Sequence, residues 1–343
     1  MRAGLPDDAT VRSAIDLAAR APSIHNSQPW SWRVADRSLH LFADSSRHLP
    51  ATDPARRDLL LSCGATLHHA RVAFAAVGWA TTVHRLPNPA EPDHLAAVEF
   101  HRHDPTAEDI AAAAAIGRRR TDRRRFSSWP VPPILLVQLA ERATEQGATL
   151  VAVTEPEQRH QLAAAIDEAA IQQNADPIYA SELAAWSGRS RGAAEGVPAA
   201  NVPIPHGRHP ETTARRSTRH GDTTMRTFDG GELASPPEDE EPDAAELLLL
   251  VTASDDQVSR LRAGEALSAV LLAATEMRLS SCPLSQPLEI GATHDVLRDQ
   301  VLRGSAAPQI VLRIGWTHPS SPPIPASPRR AVEDVLDRFP SPR

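Results

Sequence analysis

Four residues constrain this chain more than any others. Leu61, Gly64, Leu67 and Ala73 recur as Leu261, Gly264, Leu267 and Ala273, at a constant offset of 200 and without a gap. Self-similarity in a fixed register is the mark of a duplicated unit. Around the first copy, Leu60, Cys63, Leu67, Ala70, Phe74 and Val77 are spaced 3, 4, 3, 4, 3. That spacing predicts a long buried helix, ended by Gly78. The second copy lies in a similar helix over 256–278, and each copy precedes a strand. A chain of 343 residues is long enough to hold two such units. Two fused units reproduce within one polypeptide what a twofold dimer builds from two. The glycine-bearing helices are therefore expected to pack on each other at a pseudo-twofold.

The other elements follow from periodicity. A helix over about 11–18, capped by Thr10 or Asp8, stops before Pro22. Trp30, Trp32 and Val34 alternate, and Leu39 and Leu41 follow a turn at 35–38, which reads as a hairpin. Strands are expected near 79–86, 95–101, 150–153, 246–252 and 308–316. Helices are expected at 107–117, 135–143, 157–173 and 177–186. From 187 to 245 the apolar period fails, and this stretch closes on the acidic run Glu238–Glu241. So long an irregular segment inside a domain is either disordered or functional, as a lid is. The expected organisation is a first half, 1–106, and a second half, 107–343, with a lid-like insertion at about 187–245.

Composition excludes several classes. A formal net charge of -7 argues against a whole-protein nucleic-acid binder. No run approaches about 20 apolar residues, and residues 1–20 lack the basic-then-apolar order of a secretory signal. A cytoplasmic protein without membrane or nucleic-acid partners is the expectation. Cys63 and Cys282 are too far apart for a knuckle or a disulfide framework. His68 and His69 are helix neighbours on different faces, and His101-x-His103 lacks a third ligand, so no metal site is expected. The chain contains no lysine. Any fixed cation in a site is therefore a guanidinium, able to bond bidentately. No Gly-x-Gly-x-x-Gly follows a strand, which removes a Rossmann nucleotide site.

Two stretches carry chemistry. Ala21-Pro22-Ser23-Ile24-His25-Asn26-Ser27-Gln28-Pro29-Trp30 has prolines near both ends and hydrogen-bonding side chains between. By itself it reads equally as a helix-to-strand turn. Arg119-Arg120-Thr121-Asp122-Arg123 offers guanidiniums and a hydroxyl suited to a phosphate monoester. By itself it reads more readily as a solvated basic run. Together, in a duplicated chain, they resemble the FMN-dependent nitroreductase superfamily. Arg119, Thr121 and Arg123 match its Arg-x-Ser/Thr-x-Arg/Lys phosphate motif. Pro22, Ser23, Asn26, Gln28, Pro29 and Trp30 match the Pro-Ser-x-x-Asn-x-Gln-Pro-Trp segment that reaches the flavin from the other subunit. Within the superfamily the chain resembles the Acg-like branch, in which two halves are fused.

The resemblance implies an α+β nitroreductase-like fold, a mixed central sheet wrapped by helices, with two homologous halves forming a pseudo-dimer. It implies FMN between them. The first half holds one motif and the second half the other, so the inventory completes one FMN site per chain. Pro283, Leu284 and Ser285 stand where the family's Pro-Ile-Glu-Gly segment lies beside the flavin. Ser285 and Gln286 occupy its Glu-Gly positions, which is a departure from the pattern. Arg329 and Arg330 resemble the C-terminal basic pair that grips the phosphate. Arg123 is the cation expected to stabilise the reduced ring. The flavin carries the chemistry, so no side chain is assigned a catalytic role; His25 is expected to be a hydrogen-bonded loop residue and Cys282 a packed thiol. NADH or NADPH would donate transiently, and a small-molecule electron acceptor, a nitroaromatic or a quinone, would follow on the same flavin face. The alternative is a non-catalytic protein that sequesters FMN beneath its lid.

Overall fold

The computed structural model describes residues 4–190, 192–204, 218–220, 223–236 and 243–338. The chain opens with α1 (Asp8–Ala18), the hairpin β1 (Trp30–Val34) and β2 (Ser38–Ala43), the long α2 (Arg57–Ala76), and strands β3 (Trp79–Arg85) and β4 (His94–Arg102). Then come α3 (Ala107–Arg118), α4 (Pro133–Glu145), β5 (Thr149–Ala152), α5 (Pro156–Ala175) and α6 (Pro177–Trp186). The short pair β6 (Thr218–His220) and β7 (Thr223–Met225) precedes β8 (Glu246–Thr252), α7 (Gln257–Glu276) and β9 (Ser280–Leu284). Short helices α8 (Gln286–Glu289) and α9 (Gly291–Val296) lead to β10 (Ala307–Gly315). A tail ends in α10 (Val332–Val335) and β11 (Leu336–Arg338).

The fold is α+β. One sheet runs β11-β1-β2-β4-β3 and a second β5-β8-β10-β9. The second is antiparallel throughout. The first is mixed, because β11 runs parallel to β1, with Trp32 opposite Leu336. The C-terminal tail therefore returns across the molecule to the sheet in which the chain began. The cap of α1 is Asp7 rather than Thr10 or Asp8. Its carboxylate accepts the Thr10 amide at 2.8 Å, the usual geometry of an N-cap one residue before the helix.

The repeated residues meet where expected. A Cβ on Gly64 would lie 2.0 Å from the Leu261 carbonyl oxygen and 2.8 Å from the Gly264 Cα. A Cβ on Gly264 would lie 2.1 Å from the Leu61 carbonyl oxygen. Only glycine at both positions lets the two backbones come this close. The equivalent leucines are exchanged across the crossing: Leu61 packs in the core of the second sheet, and Leu261 in that of the first. His68 and His69 do converge, though on a hydroxyl, because α7 crosses here. Their Nδ1 atoms lie 2.8 Å and 2.7 Å from Ser268 Oγ. A hydroxyl carries one proton, so it donates to one ring and accepts from the other.

The insertion is more structured than its composition suggests. Val197, Val202, Met225 and Leu233 are buried. They follow no helical or strand period, so periodicity could not find them. Arg208, Arg215, Arg216 and the run 238–241 lie outside the described residues, as does the side chain of Arg219. No helix among the described residues is long and apolar enough to cross a membrane.

Candidate functional site

The loop leaving α1 is held in an unusual shape. His25, Asn26 and Gln28 have φ of 45°, 56° and 51°, a left-handed region sparsely used by residues other than glycine. Ser23 pins it, since its Oγ accepts the Gln28 amide at 3.0 Å and its carbonyl accepts the Asn26 amide at 3.1 Å. Strain of this kind persists only where surrounding contacts over-determine it. Here the contacts come from distant segments. Asn26 Nδ2 donates to the carbonyls of Gly196 and Pro328, at 3.0 Å and 3.2 Å. Gln28 Nε2 donates to the Ala194 carbonyl at 2.8 Å, and its Oε1 accepts the Arg330 amide at 2.9 Å. The loop thus ties the insertion and the tail to the start of the first sheet.

Two cavities open on either side of this loop and share Pro22, Ser23, Thr121 and Arg123 as a common wall. The larger, about 390 Å³, is cationic: Arg20, Arg119, Arg120, Arg123, Arg329 and Arg330 all line it. Arg119 is 6% exposed, and its Nε and Nη1 have no hydrogen-bond partner among the described residues. Burial first, then Arg120, pulls its pKa down to about 10. Arg329 donates to the carbonyls of Ala19, Arg20 and Ala21. Burial, with Arg119, Arg20 and Arg120 nearby, lowers it to about 9. Guanidiniums held together against desolvation and mutual repulsion make a site for an anion. Asn26 and Asn201 add two buried amide oxygens without partners among the described residues, acceptors suited to hydroxyl groups.

The smaller cavity, about 110 Å³, is mostly apolar. Leu61 and Ser62 of α2, Leu267 of α7, and Pro283, Leu284 and Ser285 at the end of β9 contribute to its wall. The insertion closes one side with Met225, Arg226 and Phe228. The Arg123 guanidinium stands 4.8 Å above the Phe228 ring, and His25 meets the same ring edge-on at 5.5 Å. Burial, Arg226 and Arg123 keep His25 neutral. Cys282 lines this cavity too, and burial pushes its thiol up.

Most residues singled out from the sequence border these cavities. Pro22, Ser23, Asn26, Arg119, Thr121, Arg123, Arg329 and Arg330 line the cationic one, and Pro283, Leu284 and Ser285 the apolar one. Gln28 lines neither; it is fully buried behind the loop. Arg124, in the same basic run, is committed to Asp122 at 2.9 Å.

The sequence itself has close relatives. A Mycobacterium tuberculosis protein provisionally named NAD(P)H nitroreductase Rv3131 is 43% identical over 341 residues, 98% of this chain and 94% of the relative. Another from the same organism, provisionally named NAD(P)H nitroreductase acg, is 36% identical over 327 residues, 95% of each chain. The chain belongs to the Acg-like nitroreductase family. No family profile matches it. Among solved structures, a Bacteroides fragilis nitroreductase with bound FMN is 13% identical, with a TM-score of 0.37 over 62% of this chain and 90% of that one. A Mycobacterium smegmatis FMN-dependent nitroreductase in complex with NADPH is 15% identical, with a TM-score of 0.36 over 68% and 93%.

The side chains of the segment after β9 are engaged by neighbours. Ser285 Oγ donates to Glu289 at 2.6 Å, and Gln286 Nε2 to Gln173 at 3.0 Å. Glu289 also accepts two hydrogen bonds from Arg226 Nη2 at 2.6 Å, in a pair whose side chains are 9% and 1% exposed, and Arg226 Nη1 bonds His25 Nε2. A buried carboxylate thus sits against Ser285, four residues later in the chain. Sequence reasoning missed Glu289, Arg226, Phe228, Asn201 and Asp58, which also lines the apolar cavity. An acidic residue just ahead of the long apolar period was the one available signal.

Proposed function

We propose that this chain is an FMN-dependent NAD(P)H oxidoreductase that reduces a small acceptor, a nitroaromatic or a quinone, by two electrons. The observation that carries the reading is the adjoining pair of cavities, which share Pro22, Ser23, Thr121 and Arg123. One end gathers six arginines, of which Arg119 has a buried Nε and Nη1 without a hydrogen-bond partner among the described residues; the other is narrow, apolar and walled by both glycine-bearing helices. That matches a molecule with a phosphate at one end and a flat ring at the other. The relatives named as NAD(P)H nitroreductases support the same reaction class. We assign the phosphate to Arg119, Thr121, Arg123, Arg329 and Arg330, and the ring to the wall of Pro22, Ser23, Pro283, Leu284 and Ser285. Asn26 would face the polar chain between them, and Gln28 would hold the loop rather than the cofactor. The segments 1–106 and 107–343 are the halves between which FMN lies.

Bound FMN supplies reversible two-electron acceptance. The chain's own residues do the remainder. The arginines fix the phosphate with charge-assisted hydrogen bonds. The Arg123 cation offsets negative charge that develops on an adjacent occupant in a site shielded from water. NADH or NADPH and then the acceptor would use the same face in turn.

One observation favours the alternative, sequestration of FMN. The insertion closes the apolar cavity with Phe228 and Met225, anchored by the buried Arg226–Glu289 pair. Anaerobic mixing of the FMN-loaded protein with NADH or NADPH separates the two. Rapid bleaching of the flavin supports the oxidoreductase, and a flavin that stays oxidised supports sequestration.

A further inference from the structure

Asp58 lies in the first turn of α2, 4% exposed, and is one of the residues that line the apolar cavity. Its Oδ2 has no hydrogen-bond partner among the described residues. Its main-chain carbonyl accepts the Ser62 hydroxyl at 2.6 Å, and no such bond occupies its side chain. The nearby guanidiniums are committed elsewhere. Arg57 bonds Asp255 and Gln309, and Arg226 bonds Glu289. The neighbouring carboxylates are also engaged: Asp53 accepts the Leu59 amide at 2.8 Å, and Glu289 accepts from Ser285 and Arg226. Burial is the main influence on Asp58, and Asp53 and Glu289 add to it. Against the smaller pull of Arg57 and Arg226, they raise its pKa well above the usual carboxylate range. The fold thus keeps, beside the space where an occupant would bind, a buried carboxyl whose Oδ2 has no hydrogen-bond partner among the described residues.

We propose that Asp58 is the acid of this site: its carboxyl gives a proton to the electron acceptor as that acceptor is reduced. The proposal rests on the oxidoreductase reading. A quinone becomes a hydroquinone by taking up one hydride and one proton. The hydride brings both electrons, from NADH or NADPH by way of the bound FMN. The proton comes from the Asp58 O–H, whose bond breaks as the new O–H forms on the product. Asp58 is left as a carboxylate, moderated by Arg57 and Arg226, and regains a proton from water once the product leaves. The chemistry predicts which acceptors depend on it: those that take up protons do, and those that take electrons alone do not.

The test uses the FMN-loaded full chain and the Asp58→Asn variant, which keeps the shape and loses the acid. Infrared spectra at neutral pH should show the carbonyl stretch of an un-ionised carboxylic acid in the wild type. The band should vanish in Asp58→Asn and persist in Asp53→Asn. Reduction by NADH or NADPH and affinity for FMN are measured separately, so that a loss in either is not read as loss of the acid. Reoxidation by a quinone should slow by roughly 10²- to 10⁴-fold, the usual contribution of a positioned acid. Reoxidation by ferricyanide, which takes no proton, should be unchanged. In the wild type, the quinone rate alone should fall as pH rises through the Asp58 titration. That profile needs no variant to fold, and the other charged or titratable groups around the carboxyl, Asp53, Glu289, Arg57, Arg226, His25, Arg123 and Cys282, would act on both acceptors. A wild type that resists NADH and NADPH would sink the oxidoreductase reading by itself; dithionite-reduced protein would still run the acceptor comparison. An unaltered quinone rate, an equal loss with ferricyanide, or the absence of the acid band overturns the role of Asp58.

Discussion

Replacing Gly64 with alanine reverses sign according to whether the helix crossing is as close as described. On an isolated helix the change stabilises by about 1 kcal/mol, because glycine has the poorer propensity. At this crossing the new Cβ would stand 2.0 Å from the Leu261 carbonyl oxygen and 2.8 Å from the Gly264 Cα. Both are backbone atoms, so no side-chain rotation relieves the clash. Non-bonded carbon–oxygen pairs need roughly 3 Å or more, so α2 and α7 must part locally by about 1 Å in an interior packed like a crystal. A gap of that size forfeits a quarter to a half of each contact's dispersion energy along the seam, and overpacking itself costs about 1–3 kcal/mol. The net expectation is a loss of about 2 kcal/mol or more, after the propensity gain is counted. Urea unfolding of wild type, Gly64→Ala, Gly264→Ala and the double variant measures it. The double variant should lose less than the sum, because the first substitution has already separated the helices. A stabilised Gly64→Ala protein would refute the close crossing, and with it the placement of Leu61, Ser62 and Leu267 in one cavity wall.

Arg119→Ala should weaken FMN about 10- to 150-fold, the equivalent of one charge-assisted bond, while riboflavin, which lacks the phosphate, should be nearly indifferent; equilibrium dialysis with both ligands checks it. Arg226→Ala leaves Glu289 as an uncompensated buried carboxylate and should cost about 3–5 kcal/mol, with Arg226→Ala combined with Glu289→Gln recovering part of the loss in thermal unfolding. His68 is held neutral by burial, its pKa lowered from 6.5 to about 3. The unfolded chain therefore binds that proton first, and stability should fall as pH drops from about 6.5 toward 3. His68→Gln should flatten that part of the urea-midpoint profile relative to wild type.

The sequence revealed features whose physical cause is local or repeated. Gly64 and Gly264 were legible because a close backbone crossing tolerates nothing else, and the surrounding apolar spacing marked both helices. The arginine run and the Pro22–Trp30 stretch were legible as chemistry in an unusual density. The rest was hidden for equally physical reasons. Met225 and Phe228 wall the cavity from a segment with no period, so nothing marked them as inward. Asp58 reads in sequence as an acid in a helix first turn, a common complement to the helix dipole. Only its burial and lack of a partner set it apart. Strand β11 is three residues long in a proline-rich tail, and its pairing with β1 is set by tertiary contact alone. Gln28 was noticed for its motif, yet its amide is spent holding the insertion and the tail together.

The proposed FMN site is single and lies between the two repeated units. Its most direct measurement is the flavin content of protein saturated with FMN, freed of excess by gel filtration, and then denatured to release the cofactor. Absorbance of the released flavin against protein concentration should give one FMN per chain. Two per chain, or none, would contradict the account.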